Sequence, residues 1–212
     1  MDTVVLVSGR GSNLRAICDA IDAGRCDARI VGVVSDRRNA AALEFASACG
    51  IPTRVVPLKK GDDRGQWNVA LANAVIELAP RLVVLAGFMR ILGAPLLSAF
   101  RGRIINVHPA LLPAFPGHDG PGDAIAGGVR ISGCTVHIVD DGVDTGPIIA
   151  QAAVPVLVDD TAETLHARIQ VQEHQLLPSV IAKIVRGEIE LDPLRLGKNQ
   201  VDEAHALRVP EV

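Results

Sequence analysis

The hydrophobic positions in the first half of the chain fall into short continuous runs, separated by segments in which apolar residues recur at helical spacing. The runs predict strands at Thr3–Val7, Ile30–Ser35, Thr53–Val56, Leu82–Ala86 and Arg103–Val107. The intervening segments predict helices at Asn13–Ala23, Asn39–Cys49 and Asp63–Ala79, with a short helix that ends near Phe100. Continuous Val, Ile and Leu runs that alternate with helices are typical of a parallel sheet covered on both faces.

The pattern changes after Gly120, where two β-rich runs replace the alternation of strands and helices. Ile131–Val139 and Pro147–Val156 are joined by the turn-rich segment DDGVDTG, which favours an antiparallel pair. The stretch from Ala110 to Ile131 is rich in glycine and proline, and we expect it to form a long loop.

A long amphipathic helix is predicted to follow, with Asp160 as its N-cap and Glu163 three residues later. Pro178 lies within it and is expected to kink it. The apolar stripe has the spacing of one helix face and consists of Leu165, Ile169, Leu176, Val180 and Ile184. Beyond Gly187 the chain becomes polar, so we expect a single domain over residues 1–190 and a C-terminal tail over residues 191–212.

Composition narrows the class of protein. The net charge of −3 and the aromatic content of 2% argue against nucleic-acid binding, which needs clustered cations and stacking surfaces. No apolar run reaches the ~20 residues of a membrane span, and the start of the chain lacks the features of a signal peptide. We therefore expect a cytoplasmic protein that acts on small molecules as a monomer or homodimer. The cysteines form no CxxC pair, so they are interpreted as buried free thiols: Cys18, Cys26, Cys49 and Cys134.

The first candidate site is SGRGSNL, Ser8 to Leu14, between the first strand and the first helix. Glycines allow a tight turn, Ser12 or Asn13 is expected to cap the helix, and free helix N–H groups attract an anion. The third glycine of a dinucleotide fingerprint is missing, because Leu14 stands in its place. Asp36, with Arg37 and Arg38 beside it, keeps a nucleotide cofactor open as an alternative, but the motif favours a monophosphate.

The second candidate is NVHPALLPAFPGHDG, where Asn106 and His108 point the same way at the end of a predicted parallel strand. Open α/β sheets bind ligands at this edge. Asparagine offers a neutral amide donor, and histidine exchanges a proton near neutral pH. The pair therefore indicates a reaction centre.

The third candidate is DDGVDTGP, which holds Asp140, Asp141 and Asp144. A carboxylate aimed at an imidazole orients the ring and raises its pKa. The spacing does not choose among the three acids. A serine hydrolase is disfavoured because the chain has no GxSxG elbow, and His108 and His118 lack metal-ligand spacing, so no metal is expected.

The segments VLVSGRGSNL, GFMRIL, NVHPALLPAFPG and GCTVHIVDDGVDTGPII resemble the phosphoribosylglycinamide formyltransferase family, over about residues 3 to 190. The resemblance implies an α/β fold, with a mainly parallel Rossmann-like twisted sheet flanked by helices and antiparallel strands in the C-terminal half. It implies formyl transfer from 10-formyltetrahydrofolate, as co-substrate, to the amine of glycinamide ribonucleotide in purine synthesis.

The resemblance also implies roles for particular residues. Asn106 and His108 would stabilise the tetrahedral intermediate, with His108 as proton donor and Asp144 as the carboxylate beside it. The residues implied for the ribonucleotide are Gly11, Ser12, Asn13, Gln170 and Glu173. The residues implied for the folate are Arg64, Met89, Arg90, Ile91, Leu92, Asn106, Asp140, Asp141, Gly142, Val143 and Asp144. His137 is assigned a secondary place near this site.

One position departs from the family, which commonly has histidine where this chain has Asp119. His118 comes one position early, so a contact from a loop histidine to substrate is not carried over. Two alternatives stay open: formyltetrahydrofolate hydrolase, a formyl-folate enzyme that shares the Asn, His and Asp set, and, from a different class, a non-catalytic nucleotide-binding or regulatory module. Methionyl-tRNA formyltransferase is disfavoured, because the 25 residues after Gly187 are too few for its additional RNA-binding domain.

Overall fold

Residues 1–191 are described by a computed structural model, and the predicted tail from residue 192 onward lies outside the described residues. Its strands are β1 Asp2–Val7, β2 Arg29–Ser35, β3 Thr53–Val55, β4 Leu82–Leu85, β5 Ile104–His108, β6 Ile131–Ile138 and β7 Ile148–Pro155. Its helices are α1 Ser12–Asp22, α2 Ala41–Ala48, α3 Arg64–Ile76, α4 Ala94–Ala99, α5 Gly120–Ala126 and α6 Ala162–Val185.

The strands form one sheet in the order β3-β2-β1-β4-β5-β6-β7. Every pair from β3 to β5 is parallel, whereas β6 runs antiparallel to both β5 and β7. This arrangement confirms the predicted α/β class, including the antiparallel strands in the C-terminal half.

The chain reverses its direction of travel across the sheet between β1 and β4. The first strands proceed from β1 toward β3, and the next return to the other side of β1 and continue to β5. Ligands bind at such a switch point, outside the carboxyl ends of the strands. The loop after β1, the loop after β4 and the end of β5 therefore meet there.

Helices cover both faces of the sheet, as the continuous apolar strands require. Alternate residues of β1 point to opposite faces of the sheet. Val5 and Val7 pack in the hydrophobic cluster on one face, and Val4 and Leu6 pack in the cluster on the other. The first cluster lies under α1, α2 and α6, and the second lies under α3 and α4. No helix within residues 1–191 is long and apolar enough to span a bilayer.

The start of α6 differs from the prediction. Thr161 is the N-cap: its hydroxyl accepts from Thr164 N at 3.3 Å, and the Thr164 hydroxyl accepts from Thr161 N at 2.9 Å. Asp160 is not the cap, because its carboxylate binds Arg168 through contacts of 2.7 and 2.9 Å. The ion pair with Arg168, about two helical turns further along the chain, thus engages the carboxylate that the sequence pattern assigned to the helix cap.

The predicted apolar face of α6 packs inward with one adjustment. Leu165, Ile169, Val180 and Ile184 are buried, whereas Leu176 is partly exposed and Leu177 is fully buried. The helix continues past Pro178 to Val185.

The stretch predicted to be a long loop contains the short helix α5. Asp119 is its N-cap, accepting from Gly122 N at 3.1 Å, and Pro121 occupies the first turn, where no backbone donor is needed. Because the segment is rich in glycine, the sequence pattern predicted a loop here and not a helix.

The cysteine prediction is confirmed for three residues and wrong for the fourth. Cys18, Cys26 and Cys134 are buried and free, as expected for thiols within apolar runs. Cys49 is also free but exposed, because it lies at the C-terminal end of α2.

Candidate active site

A cavity of about 870 Å³ opens at the switch point of the sheet. The loops after β1 and β4, the end of β5, the loop between β6 and β7, and one face of α6 all contribute to its wall. The cavity thus brings together segments that are as far apart in sequence as Gly11 and Glu173.

His108, the last residue of β5, is buried beside Asp144. Its Nδ1 lies 3.4 Å from Asp144 Oδ2, and its Nε2 lies 2.8 Å from the carbonyl oxygen of Phe115. A carbonyl oxygen only accepts, so Nε2 donates there. Both ring nitrogens therefore face oxygen acceptors, an arrangement that suits an imidazolium.

His137 stands on the other side of the same carboxylate. Antiparallel pairing of β5 with β6 sets His137 opposite Asn106, and the His137 Nε2 lies 3.1 Å from Asn106 Nδ2. The same nitrogen is 3.6 Å from Asp144 Oδ1, while Nδ1 is 2.9 Å from the carbonyl oxygen of Ile138. His137 thus lies against both Asn106 and Asp144. The register of β5 and β6, which no local pattern reveals, sets this arrangement.

Of the three acidic residues in its loop, Asp144 is the one whose carboxylate lies beside His108, and its backbone conformation is unusual. Its φ of 54° lies in the left-handed region, which aspartate tolerates better than most residues. The carboxylate accepts from Gly117 N at 2.9 Å. Burial raises the pKa of this carboxyl, but the hydrogen bonds from His137 and Gly117 and the charge of His108 outweigh burial and leave it lowered.

The loop after β1 opens the opposite end of the cavity. The N-cap of α1 is Gly11, with φ 77° and no side-chain cap, so the predicted capping by Ser12 or Asn13 is wrong. A Cβ at Gly11 would lie 2.6 Å from the Cβ of Ala42, so only glycine fits this turn. Since the first helical hydrogen bond runs from Arg15 N to the Gly11 oxygen, the three N–H groups before it lack intrahelical acceptors.

Asn13 reaches across to α6 instead of capping its own helix. Its Nδ2 donates to Glu173 Oε2 at 3.0 Å, and both side chains are buried. The Asn13 Oδ1 is buried and has no hydrogen-bond partner within residues 1–191. Burial raises the pKa of Glu173, and the bond from Asn13 opposes that rise only in part. A buried carboxyl and a buried amide oxygen thus lie side by side at the wall of the cavity.

An apolar wall follows β4. Met89 and Ile91 are 54% and 63% exposed, and Val143 faces the same cavity at 47% exposure. Large exposed apolar side chains around one cavity are typical of a ligand site. Leu92 lines the cavity but is buried in the hydrophobic cluster below it.

Asp36 ties this wall to the loop after β1. Its carboxylate accepts from the Ser8 hydroxyl at 2.5 Å and pairs with Arg90 Nε at 2.7 Å, while Ser8 Oγ accepts from Met89 N at 2.8 Å. The side chain of Asp36 is fully buried. This geometry contradicts the alternative in which Asp36 reads the ribose of a nucleotide cofactor, because both carboxylate oxygens are already bound.

Two of the residues assigned to the site do not line the cavity. Arg64 is exposed, hydrogen-bonds the carbonyl oxygen of Ile91 and stacks on Trp67, with its guanidinium carbon 4.5 Å from the ring centre. Asp141 also does not line the cavity. Asp140 does, and its carboxylate accepts a hydrogen bond from the Thr145 hydroxyl at 2.7 Å. Within residues 1–191, no group of His, Cys, Asp and Glu side chains is placed to hold a metal ion.

The fold and the site together define a class of protein. The sequence model of the formyl transferase family matches residues 1–181, and the chain belongs to that family. Phosphoribosylglycinamide formyltransferase of Mycobacterium tuberculosis (strain ATCC 25618 / H37Rv) is 52% identical over 181 residues, which are 85% of this chain and 83% of that protein.

Solved structures agree with this assignment. Glycinamide ribonucleotide transformylase 1 from Symbiobacterium toebii superposes with a TM-score of 0.86 at 44% identity, covering 90% of this chain and 91% of that one. A formyltetrahydrofolate deformylase from Pseudomonas syringae pv. tomato gives 0.83 at 25% identity, covering 89% of this chain and 62% of that chain.

Proposed function

We propose that this protein transfers the formyl group of 10-formyltetrahydrofolate to the amine of glycinamide ribonucleotide, giving formylglycinamide ribonucleotide and tetrahydrofolate. The observation that carries the proposal is the cavity, in which an Asn, His and Asp centre stands between the loop after β1, with its free helix N–H groups, and an apolar wall. The names of the relatives support the choice of substrates.

The reaction begins when the amine nitrogen attacks the formyl carbon and the carbonyl oxygen gains negative charge. Asn106 and the imidazolium of His108 stabilise that oxyanion, a contribution that is roughly 3–4 kcal/mol per donor in other enzymes. The amine loses a proton, which returns His108 to its charged form, and N10 of the folate accepts one as its bond to carbon breaks. His108 supplies that proton as the general acid.

Asp144 keeps His108 ready for this role. Since its own pKa is lowered, the carboxylate is charged throughout the neutral range and favours the protonated ring. Two histidines and one backbone amide fix its direction, so the charge need not reorganise during the reaction.

The acceptor occupies the end of the cavity near α1. The free N–H groups at the start of α1, where Gly11 is the N-cap and Ser12 and Asn13 follow, take the phosphate. Gln170 and Glu173 lie on the cavity face of α6, where Glu173 and the unpaired Asn13 oxygen accept hydrogen bonds from ribose hydroxyls.

The folate occupies the apolar end. Met89, Ile91 and Val143 cover the flat faces of its ring system, and the backbone of the segment from Asp140 to Asp144 reads the polar edge. Arg64 lies outside the cavity beside Ile91, where it meets the glutamate part of the cofactor.

The experiment follows tetrahydrofolate release from 10-formyltetrahydrofolate by the purified protein, with and without glycinamide ribonucleotide. We expect release only when the amine is present, with one formylated product per turnover. Release without the amine would assign the chain to the hydrolases, which share this fold. No release in either arm would contradict the proposal of an enzyme.

A further inference from the structure

The cavity face of α6 carries a histidine that the proposed reaction does not use. Glu163, His166, Gln170 and Glu173 recur at three- and four-residue intervals, and all four line the cavity. His166 lies between the outer rim, at Glu163, and the buried end, at Glu173. The side chain of Arg10, which adjoins Gly11 in the loop after β1, acts electrostatically on His166 and lines the same cavity.

Charged groups from three elements face this imidazole. Arg10 comes from the loop after β1, Asp119 caps α5, and Glu163 lies one turn earlier on α6. His118, next to Asp119, lines the same cavity. Burial lowers the pKa of His166, the charge of Arg10 lowers it further, and Asp119 acts in the opposite direction.

The anion-binding loop supplies no full positive charge of its own beyond Arg10. Backbone N–H groups carry only the partial charge of the helix terminus, about half a unit, whereas a phosphate monoester carries up to two negative charges. In the free protein, a protonated His166 is repelled by the positive charge of Arg10. A dianion bound between the two side chains would attract both of them. The empty and occupied sites therefore favour different protonation states of the ring.

We propose that Arg10 and His166 hold the phosphate of the acceptor from the side opposite the loop Gly11–Asn13, and that His166 does so as its imidazolium. Anion binding is then coupled to uptake of a proton. The identity of the anion rests on the proposed function, but the coupling between charge and proton does not.

Sulfate is the probe, because it stays dianionic between pH 5.5 and 8.5 while a phosphate monoester titrates. In calorimetric titrations we expect sulfate to bind roughly tenfold more tightly at pH 6 than at pH 8, the size of one charge-assisted bond at a partly exposed site. Near pH 7, heats measured in two buffers of different ionisation enthalpy should show net proton uptake.

Three variants test the assignment. His166→Gln should weaken sulfate binding at pH 6 about tenfold and remove the pH dependence, since it cannot be charged. His166→Lys should bind at both pH values, because its charge does not titrate in this range. His174→Gln is the matched control: His174 is on the same helix with its pKa also lowered by burial, but outside the cavity.

Several outcomes would overturn the proposal: no saturable sulfate binding, pH-independent binding by the unmodified protein, or unchanged pH dependence in His166→Gln. In the formyl transfer assay, His166→Gln should raise KM for glycinamide ribonucleotide and leave kcat unchanged. Proton-linked sulfate binding without formyl transfer would leave this anion site standing and reject the proposed function alone.

Discussion

The two ends of the reaction path are built in opposite ways. Around Asp144, the polar groups bind one another: two histidines and a backbone amide lie against a single carboxylate, and Asn106 contacts one of the two histidines. Around Glu173, a carboxyl with a raised pKa is buried beside the Asn13 oxygen, which has no hydrogen-bond partner among residues 1–191. The polar groups of the first end thus hold one another in the free protein, whereas we expect a bound ligand to supply the missing hydrogen bond at the second.

This difference has an energetic meaning. A preorganised centre stabilises the transition state and should govern kcat. Buried polar groups that lack hydrogen bonds lower the stability of the free protein, and a ligand that supplies those bonds restores it. The end near Glu173 should therefore govern KM. Substitutions at the two ends are therefore expected to separate the two constants.

The largest effect is expected for Asp144→Asn. It should lower kcat by about 10²-fold or more, the scale of general acid catalysis, with little change in KM for the acceptor. The pH–rate profile should also change, because the carboxylate that lies 3.4 Å from the His108 ring has lost its charge.

Steady-state rates from pH 5 to 9 measure this change. Asp159→Asn, in an exposed turn outside the cavity, provides the control and should keep normal rates. If Asp144→Asn retained near-normal kcat, the contrast between the two ends would fail.

A smaller effect is expected for Glu173→Gln, in binding and in stability. The loss of a charged acceptor should raise KM for glycinamide ribonucleotide by roughly tenfold, with kcat nearly unchanged. Because the folded-state pKa of Glu173 lies above its ordinary 4.5, its ionisation favours the unfolded state. Its stabilising contribution is present at low pH and is lost as pH rises through the folded-state value.

Thermal unfolding of the two proteins checks the sign. Glu173→Gln should melt higher than the unmodified protein at pH 8, and the difference should shrink toward pH 4. A variant that is less stable at pH 8 would mean that burial of Glu173 is fully compensated in the free protein.

The smallest effect is expected for Asp36→Asn, which weakens the link between the two loops. Arg90 is partly exposed, so the loss of its charge pair should raise KM for the folate only about two- to fivefold. KM for the acceptor should stay the same. The double variant Asp36→Asn with Arg90→Gln should be no worse than either single change, because both remove one interaction. Additive losses would show that Arg90 contacts the folate independently.

Much of the fold could be predicted from the pattern because buried strands and long helices leave strong periodic signals. The predicted strand Leu82–Ala86 and the observed Leu82–Leu85 differ by one residue, and Asp63 precedes α3 as its N-cap. The N-caps of helices were predicted less accurately. The N-cap of α6 is Thr161 and not Asp160, and that of α1 is Gly11 and not Ser12, because capping depends on competing partners that local sequence does not reveal.

The chain's own residues dictated a parallel sheet, its ligand-binding edge, and the strand end that carries Asn106 and His108, because these follow from hydrophobic period and chain direction. Which acid faces His108, the place of His137 beside Asn106, and the burial of Asp36 and Glu173 were decided by folding. Each depends on contacts between residues 28 to 160 positions apart. Secondary-structure preference depends on neighbouring residues in the sequence. The role of a charged side chain depends on the partners that tertiary packing places around it.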